Sequence, residues 1–236
     1  MTSTVRLDLH VHSRYSVDSR LSFDQILERI TYEGLQGFAL TDHDTVAGLA
    51  ELAELRTSYP GYWFLPGVEV STTEGHLLAY GVHEAPPAHR PLAETLDRVA
   101  ALGGVAVLAH PFRRLHGVGR RVASEAKVQG LEGRNGKNSE LSNTRAELLA
   151  ARRSLACTGG SDAHEPGPVG RDFTEFTADV TSLDDILEQL RKGQTSAAGA
   201  SLSLAGRVRS TIRDGLLRTV RGFRPVGPRA VHPDRF

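Results

Sequence analysis

Five short segments of this chain carry the side chains of metal chemistry. His10-Val11-His12 lies near the start and Ser161-Asp162-Ala163-His164 far downstream. Thr41-Asp42-His43-Asp44, Gly67-Val68-Glu69 and Ala109-His110-Pro111 lie between them. Nitrogen and oxygen donors without sulfur suit zinc, manganese or iron. Residues i and i+2 of a strand point the same way, so His10 and His12 can share one ion, and so can Asp162 and His164. Glu69 has two oxygens and can bridge two ions. A metal pair a few ångströms apart holds a bridging hydroxide and clamps a tetrahedral phosphoryl centre. The leading reading is therefore a multi-metal hydrolase.

The elements that must position these groups follow from periodicity. Residues 5–9 alternate apolar and polar, which predicts a strand. Ser22 and Gln25 form a capping-box pair before Ile26, Leu27 and Ile30, and Gly34 ends that helix. Further strands are expected over 37–40, 63–70, 76–82, 105–108, 130–132 and 155–158. Helices are expected over 46–55, 91–102, 142–153 and 182–190, the last with Asp184 and Asp185 in its first turn, where the helix dipole favours them. Alternating strands and helices predict an α/β fold with a mainly parallel sheet. His10, His43, Glu69, His110 and Asp162 then sit at, or just past, the C-terminal ends of strands. In a parallel barrel those ends share the face on which active sites form.

Composition bounds the rest. A length of 236 residues suits a single α/β barrel. The lone cysteine, Cys157, excludes an internal disulfide framework and a cysteine-based metal cluster, and reads as a small core residue. No apolar run is long enough to span a bilayer and no signal-peptide pattern opens the chain, so a cytoplasmic location is expected. The zero net charge hides an asymmetry: residues 205–236 hold eight arginines against two aspartates, which leaves the remainder acidic. An acidic body suits a metal-rich pocket. Residues 1–204 therefore read as the enzymatic domain and 205–236 as a basic helix and tail. Val208, Ile212, Leu216, Leu217 and Val220 recur at helical spacing, which fits a helix packed on the barrel, or one that binds RNA or an anionic membrane surface. Residues beyond Arg224, with Pro225 and Pro228, are expected to be loosely ordered.

Taken together, these segments resemble the PHP family, named after polymerase and histidinol phosphatase. The matching residues are His10-Val11-His12-Ser13 with Asp18, Thr41-Asp42-His43-Asp44, Gly67-Val68-Glu69, His76-Leu77-Leu78, His110-Pro111 and Ser161-Asp162-Ala163-His164. The resemblance covers about residues 5–200 and holds in order and spacing. It implies a distorted barrel of seven strand-helix units with three divalent metal ions, manganese, iron or zinc, at the C-terminal strand ends. By matching position, His10, His12, Glu69 and Asp162 would hold the first ion; Glu69, His76 and His110 the second; Asp18, His43 and His164 the third. His83, seven residues after His76, is the alternative to it.

The resemblance extends to substrate handling. His110-Pro111-Phe112-Arg113 is similar to a His-Pro-x-Arg motif of the phosphoesterase branch, and a guanidinium there would hold a phosphoryl oxygen. Arg171 and Asn135 are further candidates for the substrate, although Asn135-Gly136 equally reads as a turn. His116 lies in an arginine-rich loop with Arg113, Arg114, Arg120 and Arg121, which is either a lid over phosphate or a solvated surface. His89 and His232 read as solvated loop residues. The larger nucleotide-acting members carry a long insertion before the last motif, whereas here only 51 residues separate His110 from Asp162. The implied function is hydrolysis of a phosphomonoester of a small metabolite or nucleotide. The alternatives are a 5′-end exonuclease or oligonucleotide phosphatase using the basic tail, and a non-catalytic metal-containing module that binds phosphate.

Overall fold

The computed structural model of the chain describes residues 4–177, 179–200 and 202–221. The first half runs β1 (Val5–Val11), α1 (Phe23–Tyr32), β2 (Gly37–Leu40), α2 (Leu49–Ser58), β3 (Trp63–Leu65), β4 (Gly67–Ser71), β5 (His76–Tyr80) and α3 (Leu92–Ala101). The second half runs β6 (Val105–Leu108), α4 (Gly119–Glu125), β7 (Gly130–Asn135), α5 (Glu140–Arg153), β8 (Ala156–Gly160), β9 (Asp172–Phe176), α6 (Leu183–Lys192), β10 (Thr195–Gly199) and α7 (Leu204–Val220). Local chemistry accounts for the boundaries. Ser22 and Gln25 form the expected capping box of α1, and Ser182 forms another with Asp185 at α6.

The strands form two five-stranded sheets, ordered β10-β9-β1-β2-β3 and β4-β5-β6-β7-β8. This corrects two expectations. The sheets are mixed, because β1/β9, β9/β10, β4/β5 and β5/β6 pair antiparallel. Four residues join β4 to β5, far too few for the crossover that a parallel pair requires. Nor do the two sheets join into one closed ladder, so a TIM barrel is not what forms. The continuous strand expected over 63–70 breaks at Pro66, which has no N–H to give a ladder. β3 extends one sheet beside β2, and β4 opens the other.

The sheets meet through a few bonds beyond their strand ends. Asp162 N donates to His10 O at 2.7 Å and His12 N to Ala163 O at 3.1 Å. On the other side Asp44 N donates to Glu69 O at 2.9 Å and Glu69 N to Asp42 O at 3.2 Å. Two apolar cores lie behind these junctions. One packs Ile26, Ile30, Leu49, Leu52 and Val99 of α1–α3 against Phe38, Phe64 and Leu108. The other gathers Leu7, Leu9, Leu78, Tyr80 and Val107 with Ile186 and Leu190 of α6.

The C-terminal helix forms but is turned around relative to its sequence pattern. Its buried residues are Ser210 and Asp214, whereas Leu204, Val208, Ile212, Leu216 and Val220 are exposed. The surface on which α7 lies is the charged rim of the centre described next, so its polar face is the one that finds partners. The readings of His232 and of the chain beyond Arg224 lie outside the described residues.

Candidate metal centre

The end of β1 brings His10 and His12 inside, both fully buried. Burying imidazoles requires partners. His10 Nδ1 donates to Glu132 Oε1 at 2.8 Å, which turns the lone pair of Nε2 inward. Glu132, the third residue of β7, also accepts the His110 amide through Oε2 at 2.6 Å. Sequence reading placed Glu132 in a strand and gave it no role. The available signal was the likeness of Gly130-Leu131-Glu132 to Gly67-Val68-Glu69, each an acid two residues after a glycine, third in its strand.

Glu69 is the hub. Its Oε2 lies 3.2 Å from His10 Nε2, His12 Nε2 and His43 Nδ1. Its Oε1 lies 2.8 Å from His76 Nδ1 and 3.0 Å from His110 Nε2. A second cluster forms around Asp18, whose Oδ1 is 3.1 Å from His164 Nε2 and whose Oδ2 is 3.3 Å from His43 Nε2. Asp162 Oδ1 stands 3.5 Å from His12 Nε2 and 3.8 Å from His10 Nε2. All nine residues proposed from sequence are thus within one buried constellation. His76 is in it; His83 is half-buried and does not line the cavity above.

The backbone is bent to make this possible. Asp162 and His110 take left-handed conformations, with φ of 53° and 30°, which non-glycine residues adopt only when their surroundings enforce it. At Asp162 the enforcement is visible. Asp8 accepts the Ser161 and Gly170 amides at 2.9 Å each, tying the closing segment to β1. Gly160 must be glycine, because a Cβ would stand 2.4 Å from His10 Cβ.

The electrostatics are those of a site that calls for positive charge. Burial alone would lower His10, but the carboxylates of Glu132, Glu69 and Asp162 raise it well above the usual imidazole range. His12 is likewise raised against burial, by Asp162 and Glu69, to about 9. Burial would raise Glu69, yet His43, His10 and His76 hold it well below the carboxylate range. Asp162 is held low against burial by Lys137, His10 and Arg113. Burial lowers His43 to about 4. Lone-pair atoms of His10, His12 and Glu69 converge within about 3.2 Å, and a proton or a metal ion must stand among them. Among the described residues, three groups of donors are close enough to share an ion: His12, Asp18, His43 and His164; His10, His12 and Glu69; and His43, Glu69 and His76. Nitrogen and carboxylate donors of this kind fit divalent zinc, manganese or iron.

Above the centre is a cavity of about 360 Å³, within the range of small-molecule sites. Arg113 reaches into it. Its Nη2 donates to Asp162 Oδ2 at 2.8 Å and to Asn135 Oδ1, and its Nε donates to Asn138 Oδ1 at 3.0 Å. Asn135 is fully buried at the end of β7 and donates to Asp162 Oδ2 at 3.2 Å, so it positions Asp162 and Arg113. The loop divides: Arg113, Arg114, Leu115 and His116 line the cavity, whereas Arg120 and Arg121 begin α4 outside it. His116 stacks on His76 with ring centroids 4.8 Å apart. Arg171 does not join the cavity. It is exposed in the bend just before β9, its amide bonded to Pro168 O, while the next residue, Asp172, is buried.

Three further residues had no signal in the sequence. Lys137 Nζ lies 2.8 Å from His164 Nδ1 and donates to Asp214 Oδ2 at 2.6 Å. Arg218 Nε donates to Asp18 Oδ2 at 2.7 Å, and its Nη2 is 2.6 Å from His43 Nε2. Thr211, Asp214, Gly215 and Arg218 make α7 one wall of the cavity. Among the described residues no helix is long and apolar enough to cross a membrane.

Comparison with known proteins agrees with this geometry. A family model described as PHP domain matches residues 8–152, and one described as PHP-associated matches residues 140–195. The chain is 40% identical over 98 residues to phosphoribosyl 1,2-cyclic phosphate 1,2-diphosphodiesterase of Eggerthella lenta, covering 39% of this chain and 37% of that enzyme. It is 41% identical over 86 residues to 3′,5′-nucleoside bisphosphate phosphatase of Chromobacterium violaceum, covering 35% and 30%. The match thus spans only about a third of each enzyme's length. The fold is similar to a two-domain protein of Bacteroides vulgatus described as containing a predicted PHP-like metal-dependent phosphoesterase. That likeness has a TM-score of 0.70 at 20% identity and covers 90% of this chain and 70% of the other.

Proposed function

The chain belongs to the PHP domain family, and on that premise we propose that it is a metal-dependent phosphomonoesterase acting on a small phosphorylated metabolite or nucleotide. The observation that carries this reading is Glu69. One of its oxygens faces His10, His12 and His43, while the other faces His76 and His110, under a cavity entered by Arg113.

His10, His12, Glu69 and Asp162 would hold one ion; Glu69, His76 and His110 a second; Asp18, His43 and His164 a third. Bound divalent ions supply a nucleophilic water at neutral pH and neutralise charge on phosphoryl oxygens. The protein's own groups do the remainder. Glu132 keeps His10 in the tautomer whose lone pair faces the centre. Asn135 and Asn138 hold the Arg113 guanidinium over Asp162, from where its Nη1 can donate two charge-assisted hydrogen bonds to phosphoryl oxygens. That contact strengthens as charge develops in the transition state. Residues 113–116 wall the cavity and limit substrate size, and α7 closes one further side while it is docked.

The nucleic-acid reading gains little from the fold. Its support was the basic tail, and four of the five arginines between Arg207 and Arg221 turn inward. Arg207 donates to Asn138 O, Arg213 to Asp214, Arg218 to Asp18 and Arg221 to Ser16 O. The test is a panel of phosphomonoesters, cyclic diesters and 5′-phosphorylated oligonucleotides, with manganese, iron and zinc each supplied and phosphate release measured. Turnover of small monoesters above all others supports the proposal; turnover confined to oligonucleotides, or none at all, overturns it.

A further inference from the structure

The docking of α7 inverts what an amphipathic helix usually does. It leaves its apolar stripe exposed and attaches through hydrogen bonds and ion pairs from its polar face. The attachments are spread along its length. Arg207 Nη1 donates to Asn138 O at 2.7 Å, Lys137 donates to Asp214, and Arg221 Nη1 donates to Arg14 O at 3.2 Å and Ser16 O at 2.6 Å. The helix is thus held by charged and polar contacts rather than by apolar burial, and a competing charge can displace such contacts where apolar packing would be indifferent to it.

The decisive contact is that of Arg218. Its Nε donates to Asp18 Oδ2 at 2.7 Å and its Nη2 to His43 Nε2 at 2.6 Å. These two atoms, 3.3 Å apart, belong to the group of His12, Asp18, His43 and His164 whose donor atoms lie within 4.8 Å of one another. A guanidinium is permanently charged and has only donors, so it satisfies the same lone pairs that a divalent cation needs. A dication on those atoms would repel it at a separation where like charges interact strongly.

We propose that α7 is a built-in cover, and that the Arg218 guanidinium occupies the Asp18–His43 pair in competition with a divalent cation. Loading this subsite and lifting the C-terminal end of α7 are then one event. The inference rests on the reading of the centre as a metal site, but it concerns affinity and helix docking rather than catalysis.

The test is calorimetric titration of manganese(II) alone into the full-length, ion-stripped protein, with hydrogen exchange of residues 204–221 followed before and after loading. The proteins compared are the parent, Arg218→Gln and Arg218→Lys, with circular dichroism confirming that each is folded. Arg218→Gln should tighten the weakest manganese site about tenfold or more, because glutamine brings no charge to be displaced. Arg218→Lys, which keeps the charge but loses the two-pronged contact, should fall between it and the parent. Manganese should speed exchange along α7 in the parent protein. Equal affinities in all three, weaker binding in Arg218→Gln, or slower exchange on loading would overturn the inference while leaving the metal centre intact. Failure of all three proteins to bind manganese would overturn the metal centre itself, and this inference with it.

Discussion

Glu132 holds His10 from behind. The carboxylate accepts His10 Nδ1–H at 2.8 Å through one oxygen and the His110 amide at 2.6 Å through the other, so a single side chain sets two residues of the centre. Carboxylates behind metal-ligating histidines typically contribute about 10–100-fold to affinity or activity. Glu132→Gln keeps the shape but loses the charge and the second strong acceptor. Its manganese affinity, measured by calorimetry, should fall by about that factor while the circular dichroism spectrum is kept. An unchanged dissociation constant would remove Glu132 from the design.

Glu69 and Asp162 should be indispensable. Glu69→Ala withdraws both oxygens from five histidines, and Asp162→Ala removes the carboxylate that Arg113 and Asn135 position. Each should lower phosphate release by at least about 10³-fold, as expected when a group that acts with others as a unit is deleted. Metal content by elemental analysis should fall in parallel. Retained activity in either variant contradicts the proposed function.

Arg113→Ala should separate binding from chemistry. The side chain lies at the cavity wall, about one-quarter exposed, and belongs to neither apolar core. Loss of a two-pronged, charge-assisted contact should raise KM and reduce kcat/KM by about 10²-fold. Arg113→Lys should recover only part of this, because an ammonium cannot reproduce the planar fork. Equal kinetics for parent and alanine variant would exclude a role in phosphate binding.

Metal binding should depend on pH with a definite sign. His12 is raised to about 9 against burial, by Asp162 and Glu69, so it carries a proton at neutral pH in the ion-free protein. An ion must displace that proton, and that of His10, which is also raised well above the usual imidazole range, so affinity rises with pH through neutrality toward 9. The slope for His12 alone is about tenfold per pH unit, and binding should release protons in weakly buffered solution. Affinity that falls between pH 6.5 and 8.5 would contradict the assignment of His12 as a ligand.

Gly160→Ala tests the junction between the sheets. The added Cβ would stand 2.4 Å from His10 Cβ and 2.6 Å from His10 N, so β1 or β8 must shift to admit it. Overpacking of this kind costs about 1–3 kcal/mol or more. Denaturant unfolding should register that loss, and metal affinity should fall with it because His10 is displaced. Parent-like stability would mean that β1 and β8 approach less closely than described.

Much of the centre was legible in residue types and spacing. His10, His43, His110 and Asp162 lie at or just past the ends of β1, β2, β6 and β8, as the apolar runs before them indicated, whereas Glu69 sits in the middle of β4. The capping box of Ser22 and Gln25 set the start of α1 for the same local reason. Pro66 was equally visible, but its consequence was not: whether a proline bends a strand or divides it between two sheets depends on the neighbours each half finds.

What only the tertiary structure decided are the contacts between distant parts of the chain. His10 and Glu132 are 122 residues apart, and Asp18 and Arg218 are 200. Periodicity in α7 announced an apolar stripe and a polar face but did not say which of them would meet the body. Sequence patterns record the geometry a segment imposes on itself over a few residues. The rim of the centre is assembled from β1, the residues after β2, β7 and the turn after β8. Its charge therefore exists only once those pieces are together, and that charge drew the arginine face of α7 inward and left the apolar stripe outside.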